Sequence, residues 1–304
     1  MKLYNDYGTY LKKRFGSKVY RIGLDAGFSC PNRDGTKGLG GCVYCDEQGS
    51  RSSYTNPSKS IREQLAKRIE YLGSFKGAEK FIAYFQAFTN THAPVIKLKA
   101  AYDEALGFDQ VVGMSIGTRP DCVDENKLDL IASYKEKLDV WIEYGLQSMH
   151  DKTLSLLNRG HDFSNFLNSF ALTKKREIPV CVHVILGLPG ETRDEMMETA
   201  KRLTALGIDA VKIHLFHVLK GSAVENMYGE EKIKLLEQDE YVNIACDFLE
   251  NLSSGIIIQR LTGEGTPERH IAPAWALDKT GTINKIKDTF ISRGTYQGYA
   301  LSSN

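Results

Sequence analysis

The chain has 304 residues, 42% of them hydrophobic and 25% charged, and its 39 Lys and Arg against 38 Asp and Glu leave a formal net charge of +1. Such a chain can bury a sizeable core without covalent staples, and its balance does not advertise nucleic acid, although a local basic face fits inside a neutral total. No apolar run reaches membrane-spanning length, and the opening "MKLYNDYGTYLKKRFG" lacks the apolar stretch of a signal peptide, so no membrane partner and a cytoplasmic location are expected.

Short apolar, β-branched segments predict strands at 19–26, 80–88, 110–118, 138–146, 179–188 and 210–219. Amphipathic stretches at 60–73 and 192–207 predict helices between them. The second opens with Thr192 and Glu195 at capping-box spacing and stops at Gly207. Strands alternating with helices imply parallel units joined by right-handed crossovers. Six such units predict an α/β fold built as a partial (β/α)6 barrel rather than a closed eight-fold one. Beyond about residue 222 a helix (231–252), a strand-like "GIIIQRL" (255–261) and a helix near 280–293 read as an extension. The expected division is 1–222 for the barrel with an N-terminal cap and 223–304 for an α/β extension packed on it.

In parallel β/α folds chemistry gathers at the C-terminal ends of strands. The loop after the first strand holds Cys30, Cys42 and Cys45, spaced C-x11-C-x2-C among glycines. In a cytosolic chain such a cluster reads as metal-ligating or catalytic. A structural zinc site needs four ligands, so it would have to recruit a distant histidine such as His92, His183, His214 or His217. An iron–sulfur cluster held by three thiolates instead leaves one iron open to a substrate or cofactor. Cys122, Cys181 and Cys246 are scattered and read as small core residues. The zinc alternative would make the chain a nucleic-acid-binding module without catalysis.

Further text falls at the same strand ends: "AYFQAFTNTHAP", "GMSIGTRPDC", "EYGLQSMHDKTLSLLNRGH", "HVILGLPGET", "HLFHVLKGS" and "LTGEGTPERHIAPAW". With "CPNRDGTKGLGGCVYC" these segments resemble, across nearly the whole length, a radical S-adenosylmethionine protein of the bacterial YhcC/YtqA family. The "TRPD" and "GLQS…NRGH" segments also resemble Elp3-like and coproporphyrinogen-dehydrogenase-like radical enzymes. The resemblance implies a TIM-like radical barrel in which Cys30, Cys42 and Cys45 ligate a [4Fe-4S] cluster whose open iron chelates S-adenosylmethionine. Reductive cleavage of that cofactor would give a 5′-deoxyadenosyl radical.

The same likeness suggests cofactor contacts from Tyr44, Gln86, Thr89, Asn90, Glu143, Gln147, Ser148, Arg159, His183, Ile185, Gly187 and His214. Gln86, Thr89 and Asn90 stand where a glycine-rich motif is usual, and a capped loop explains them equally. His183 stands where related enzymes carry an aspartate, and Gly117 where Elp3-like enzymes carry a glutamate. Glu143 is expected on an inward strand face, where a carboxylate is functional or paired with an arginine. Substrate contacts are expected from Arg119, His217, Lys220, Arg260, Glu264 and Arg269. For the YtqA branch the implied substrate is tRNA, at wobble uridine 34 of the anticodon. The implied reaction converts 5-carboxymethylaminomethyl-(2-thio)uridine to the 5-aminomethyl form. Implied partners are a flavodoxin or ferredoxin-type electron donor and an S-adenosylmethionine-dependent tRNA methyltransferase acting next. A radical enzyme acting on a small molecule or a protein is the competing reading.

Overall fold

The computed structural model describes residues 2–263 and 267–302. Six strands follow one another as parallel neighbours: β1 (Val19–Leu24), β2 (Lys80–Phe85), β3 (Val111–Thr118), β4 (Asp139–Gln147), β5 (Val180–Leu186) and β6 (Ala210–Leu215). β7 (Val218–Leu219) leaves this sheet. β8 (Ile257–Arg260) joins it as a seventh strand, parallel to β6, and β9 (His270–Ala272) pairs antiparallel with β7. The connecting helices are α1 (Tyr7–Phe15), α2 (Ile61–Lys76), α3 (Val95–Asp103), α4 (Glu125–Ser133), α5 (Asp151–Leu156), α6 (Phe163–Lys174), α7 (Arg193–Leu206), α8 (Ala223–Gly229), α9 (Gln238–Glu250) and α10 (Lys279–Arg293). No helix of the described residues is long and apolar enough to cross a membrane.

The sheet is curled into a partial barrel. Arg21 on β1 donates to Gln259 on β8 at 2.6 Å, although these strands are opposite edges of the sheet. Strand alternation sorts the side chains. Outward residues such as Ile22, Phe85, Ile116, Ile142, Val182 and Ile213 are buried under the helices. Inward residues Val19, Ile82, Trp141, Cys181, Ala210 and Ile257 form an apolar floor that α1 plugs with Tyr7 and Leu11. Above that floor the inward face turns polar. As expected, Cys122, Cys181 and Cys246 are buried.

Local signals were followed closely at helix ends. Thr192 and Glu195 close a capping box on α7, and Gly207 ends it in the left-handed region at φ +66°. Ser60 and Glu63 do the same for α2. Three expectations need correction. The strand expected at 210–219 breaks after Leu215, because Phe216 turns into a separate apolar cluster and the His217 ring bonds back to the Leu215 carbonyl at 2.9 Å. The helix expected from 231 begins at Gln238, since Glu231 sits at φ +56°, which no α-helix contains. The strand-like stretch near 255–261 is no separate piece: it extends the barrel sheet, its partner β6 offering an open edge.

Candidate active site

The loop between β1 and α2 has no regular secondary structure and is held by distant parts of the chain. Arg33 donates to the carbonyls of Cys45 (2.9 Å) and Asp46 (2.7 Å). Asn158 donates to the Gly41 carbonyl at 2.8 Å, and Asn32 returns a bond to the Asn158 carbonyl. Arg269, just before β9, bridges to Asp46 at 3.0 Å. Gly41 is required where it stands: its φ is +80°, and a Cβ there would lie 2.7 Å from the Arg33 guanidinium.

Cys30, Cys42 and Cys45 carry no disulfide. Cys42 is buried and takes hydrogen bonds from Arg159 Nη1 at 3.2 Å and Asn32 Nδ2 at 3.7 Å. Burial raises the Cys42 thiol, but the Arg159 charge and hydrogen bond outweigh it and hold the thiol below its ordinary value. Burial pushes Cys45 up to about 11 against the opposing charge of Arg33. Both thiols therefore have cations at hand for the thiolate form.

The donor set argues against mononuclear zinc. Zn–S bonds of about 2.3 Å place tetrahedral sulfurs roughly 3.8 Å apart. Among the described residues, Glu143, Cys181 and His183 are the one group of three or more such ligand atoms lying within 4.8 Å of one another. The three loop thiols do not form such a group. The Glu143 group is no metal site either, because Arg21 and Lys212 hold the carboxylate and repel a cation.

Behind the thiols the lumen is walled by glycine and charge. Gly117 and Gly145 leave a cradle: a Cβ at Gly145 would lie 2.8 Å from Arg159 Nη2, and one at Gly117 would lie 3.1 Å from the Phe85 carbonyl. Deeper, fully buried Glu143 accepts from Arg21, from Lys212 Nζ at 2.6 Å and from His183 Nε2 at 2.8 Å. Lys212 also donates to the Tyr84 hydroxyl at 3.0 Å. Burial and the neighbouring Arg21 lower Lys212 to about 7, although Glu143 opposes them. Burial and Lys212 lower His183 to about 4. Glu143 is thus paired with an arginine, one of the two states expected for it.

The other expected residues fall into three groups. Tyr44 and Ile185 pack in one apolar cluster beside the thiols, and Arg159 bridges Cys42 to the Gly145 carbonyl at 2.5 Å. His214 lies above His183, ring centroids 5.2 Å apart, with its Nε2 lacking a partner. Gln147 adopts φ +77° at a register shift next to the Gly145 cradle.

A second group is engaged in holding loops. Gln86 donates to the Ser50 carbonyl at 2.5 Å, and Asn90 to those of Ala87 and Gly117, both at 3.0 Å. Thr89 is buried beside Asn90, and Ser148 bonds Glu191 and the His150 amide. Arg119, expected on the substrate, is only 2% exposed and forks onto Asp121 at 2.9 and 3.0 Å while capping the Arg159 carbonyl. It is a buckle of the rim, because a buried guanidinium needs its carboxylate.

The third group lies toward the opening. His217 stacks near His270 at 5.6 Å, Lys220 is exposed, and Arg269 ties Asp46 to the Lys220 carbonyl. Arg260 lies on β8 in the wall of a seam pocket. Gly187 faces Leu236 in a different cavity, of about 660 Å³, outside the lumen. Glu264 lies outside the described residues. Sequence reasoning missed Arg21, Asn32, Arg33 and Lys212. The alternation that singled out Glu143 contained the signal for two of them, since "YRI" and "VKI" place a charge inside apolar strands.

Comparisons with known proteins bear on the family and the fold. A family model described as the Radical SAM superfamily matches residues 30–203, and one described as the Radical_SAM C-terminal domain matches 208–291. Protein MJ0486 of Methanocaldococcus jannaschii is 45% identical over 300 residues, covering 97% of this chain and 92% of its own length. YtqA of Bacillus subtilis is 42% identical over 297 residues, covering 98% and 92%. At greater distance, the tRNA uridine(34) acetyltransferase of Methanocaldococcus infernus is 24% identical over 136 residues, covering 44% of this chain and 25% of its own. Among solved structures, the archaeal Methanocaldococcus infernus Elp3 with an N-terminal deletion superposes with a TM-score of 0.70 at 16% identity, over 92% of this chain and 64% of that one. The fold is therefore the partial TIM-like barrel of radical SAM proteins. The chain belongs to the Radical SAM superfamily and, within it, to the family of YtqA and YhcC.

Proposed function

We propose that this chain is a radical S-adenosylmethionine enzyme that modifies wobble uridine 34 of tRNA, converting 5-carboxymethylaminomethyl-(2-thio)uridine to the 5-aminomethyl form. Its superfamily works with a [4Fe-4S] cluster and S-adenosylmethionine. Cys30, Cys42 and Cys45 would hold the cluster, which leaves one iron for the cofactor's amino and carboxylate groups. When bound, the pair supplies a 5′-deoxyadenosyl radical able to take hydrogen from a C–H bond. The observation that carries the reading is the donor set itself: three unlinked thiols on one strand-end loop, with Arg159 joining Cys42 to the Gly145 carbonyl beside the glycine cradle.

The protein's own residues then have separable tasks. Arg159 balances the negative charge of the thiolates and fixes Cys42 against the Gly145 carbonyl. Arg33, Asn32 and Asn158 keep the loop from collapsing into a disulfide or a tighter metal site. His214 and Gln147 stand at the cradle with polar groups for a ribose. Tyr44 and Ile185 supply an apolar wall that excludes water from the reacting groups.

An RNA substrate is supported by the distant likeness to a tRNA uridine(34) acetyltransferase and by a surface feature. Tyr54, Tyr71 and Phe75 are 44%, 45% and 72% exposed. Arg68 lies over the Tyr54 and Tyr71 rings at 4.1 and 4.7 Å, and Tyr71 packs on Phe75 at 4.8 Å. A ladder of exposed rings and a guanidinium suits unstacked bases of a single-stranded loop. The decisive experiment is anaerobic incubation with S-adenosylmethionine and reductant, with and without bulk tRNA, following 5′-deoxyadenosine and modified nucleosides together. Formation of the 5-aminomethyl nucleoside is expected. Cofactor cleavage with unchanged tRNA would leave a radical enzyme acting on a small molecule or a protein.

A further inference from the structure

A cavity of about 470 Å³ opens at the seam between the first and last strands of the barrel. Its wall includes Tyr7, Arg21, Tyr54, Tyr84, Lys212 and Gln259. That volume lies within the range of small-molecule sites and accommodates a nucleoside. Across this gap Arg21 of β1 reaches Gln259 of β8 by a side-chain bond, and the segment before α1 bridges to β8, with Ile258 N donating to the Asn5 carbonyl at 2.8 Å.

The chemistry of the wall is unbalanced. Arg21 and Lys212 are both held by the single buried carboxylate Glu143. His183 donates to the same carboxylate, so three donors share its two oxygens. Lys212 has three donors, and Glu143 and Tyr84 take two of them. On the same wall Tyr7 Oη, Arg21 Nε and Gln259 Nε2 are buried and lack any hydrogen-bond partner. Asp6, Arg260 and Lys279 also line the cavity. Buried donors without acceptors are costly, and one positive charge in excess near a buried surface more so. An acceptor-only anion with two oxygens answers both deficits at once.

We infer that the seam cavity is a subsite for the carboxylate of the substrate, with Arg21 and Lys212 as its charged floor and Gln259 and Tyr7 as additional donors. The proposal rests on the wobble-uridine reading for the identity of the acid, since the carboxymethylaminomethyl arm ends in a carboxylate. It also gives the protein a way to tell that arm from an uncharged one. A neutral arm would leave Lys212 and Arg21 sharing Glu143 with their deficit intact.

The test uses cluster- and S-adenosylmethionine-loaded protein and two probes, the nucleoside 5-carboxymethylaminomethyluridine and its carboxamide, titrated by calorimetry. Wild-type protein should bind the carboxylate about 10- to 100-fold more tightly, as charge-assisted bonds in a buried site do. Lys212→Met should bind both alike, and Lys212→Arg should keep a preference. Circular dichroism and iron and sulfide content report whether each variant is folded and loaded. Equal binding of the two probes by wild-type protein, no binding of either, or a preference surviving in Lys212→Met overturns the subsite. Turnover of tRNA is read separately. Turnover with equal probe binding refutes the subsite and keeps the wobble-uridine reading. Carboxylate preference without tRNA turnover refutes that reading and leaves a subsite for another acidic substrate.

Discussion

Replacing Glu143 by Gln isolates the charge at the centre of the barrel. Glu143 is fully buried and accepts from Arg21, Lys212 and His183. Gln keeps the shape but turns an amide toward cations and leaves Arg21 and Lys212 without a counter-charge. Removing one partner of a buried ion pair costs about 3–5 kcal/mol. With an unfolding entropy of roughly 2.1 cal/mol/K per residue over 304 residues, about 0.64 kcal/mol/K in all, a loss near 4 kcal/mol lowers Tm by about 6 °C.

The loss should depend on pH through Lys212. Burial and Arg21 lower its pKa from 10.5 to about 7 in the folded chain. Below that value Lys212 is charged and needs Glu143. Above it Lys212 is neutral, and the missing carboxylate costs less. Thermal melts of cluster-free protein, held reduced, should therefore show a larger Glu143→Gln deficit at pH 6 than at pH 9. Glu143→Gln combined with Lys212→Met should recover a good part of it, because the remaining Arg21 still bonds Gln259. A Glu143→Gln protein melting within about 1 °C of wild type at pH 6, or a double variant melting below the single one, would refute the account of these groups as one charge-coupled unit.

Acid should weaken the fold through His183, whose folded pKa is held down to about 4 by burial and Lys212. Its contribution is complete above the unfolded value of 6.5 and is lost as pH falls toward 4, about 3 kcal/mol in all, so His183→Gln should flatten that limb of a urea-midpoint profile. Arg159→Gln removes the charge that lowers Cys42, so the thiolate absorbance of cluster-free protein should titrate at higher pH, and reconstituted iron should fall with it. An unchanged titration would mean that Arg159 acts on something other than the thiol. Arg269→Gln breaks the tie to Asp46 and should cost about 1 kcal/mol while speeding proteolysis within 42–51; equal cleavage rates would show the tie to be idle.

The alternation of strands and helices was legible because parallel units repeat local signals: β-branched runs, capping boxes at Ser60 and Thr192, and a left-handed glycine at 207. The break after Leu215 was not, since it depends on where Phe216 finds an apolar cluster and on an antiparallel partner far along the chain, Val218 opposite Ala272 and Leu219 opposite His270. Arg119 illustrates the same limit at the rim. A basic residue beside "PDC" looks like a hand held out to substrate, yet Asp121 and the Arg159 carbonyl absorb it. Asp121 stands two residues away in the same segment, but the Arg159 carbonyl that completes the clamp comes from a different strand end, which no local spacing rule shows.

By itself the sequence determined the element types, the parallel order of six strands and the gathering of Cys30, Cys42 and Cys45 at a strand end, since these follow from periodicity and from thiol spacing within one loop. Only the tertiary structure decided that β8 becomes the seventh strand, that Arg159 stands against Cys42, and that Arg21, Lys212 and His183 converge on Glu143. The reason is geometric. Curling a sheet brings alternate residues of distant strands to one axis, and charges separated by more than a hundred residues then share a dry interior in which each sets the state of the others.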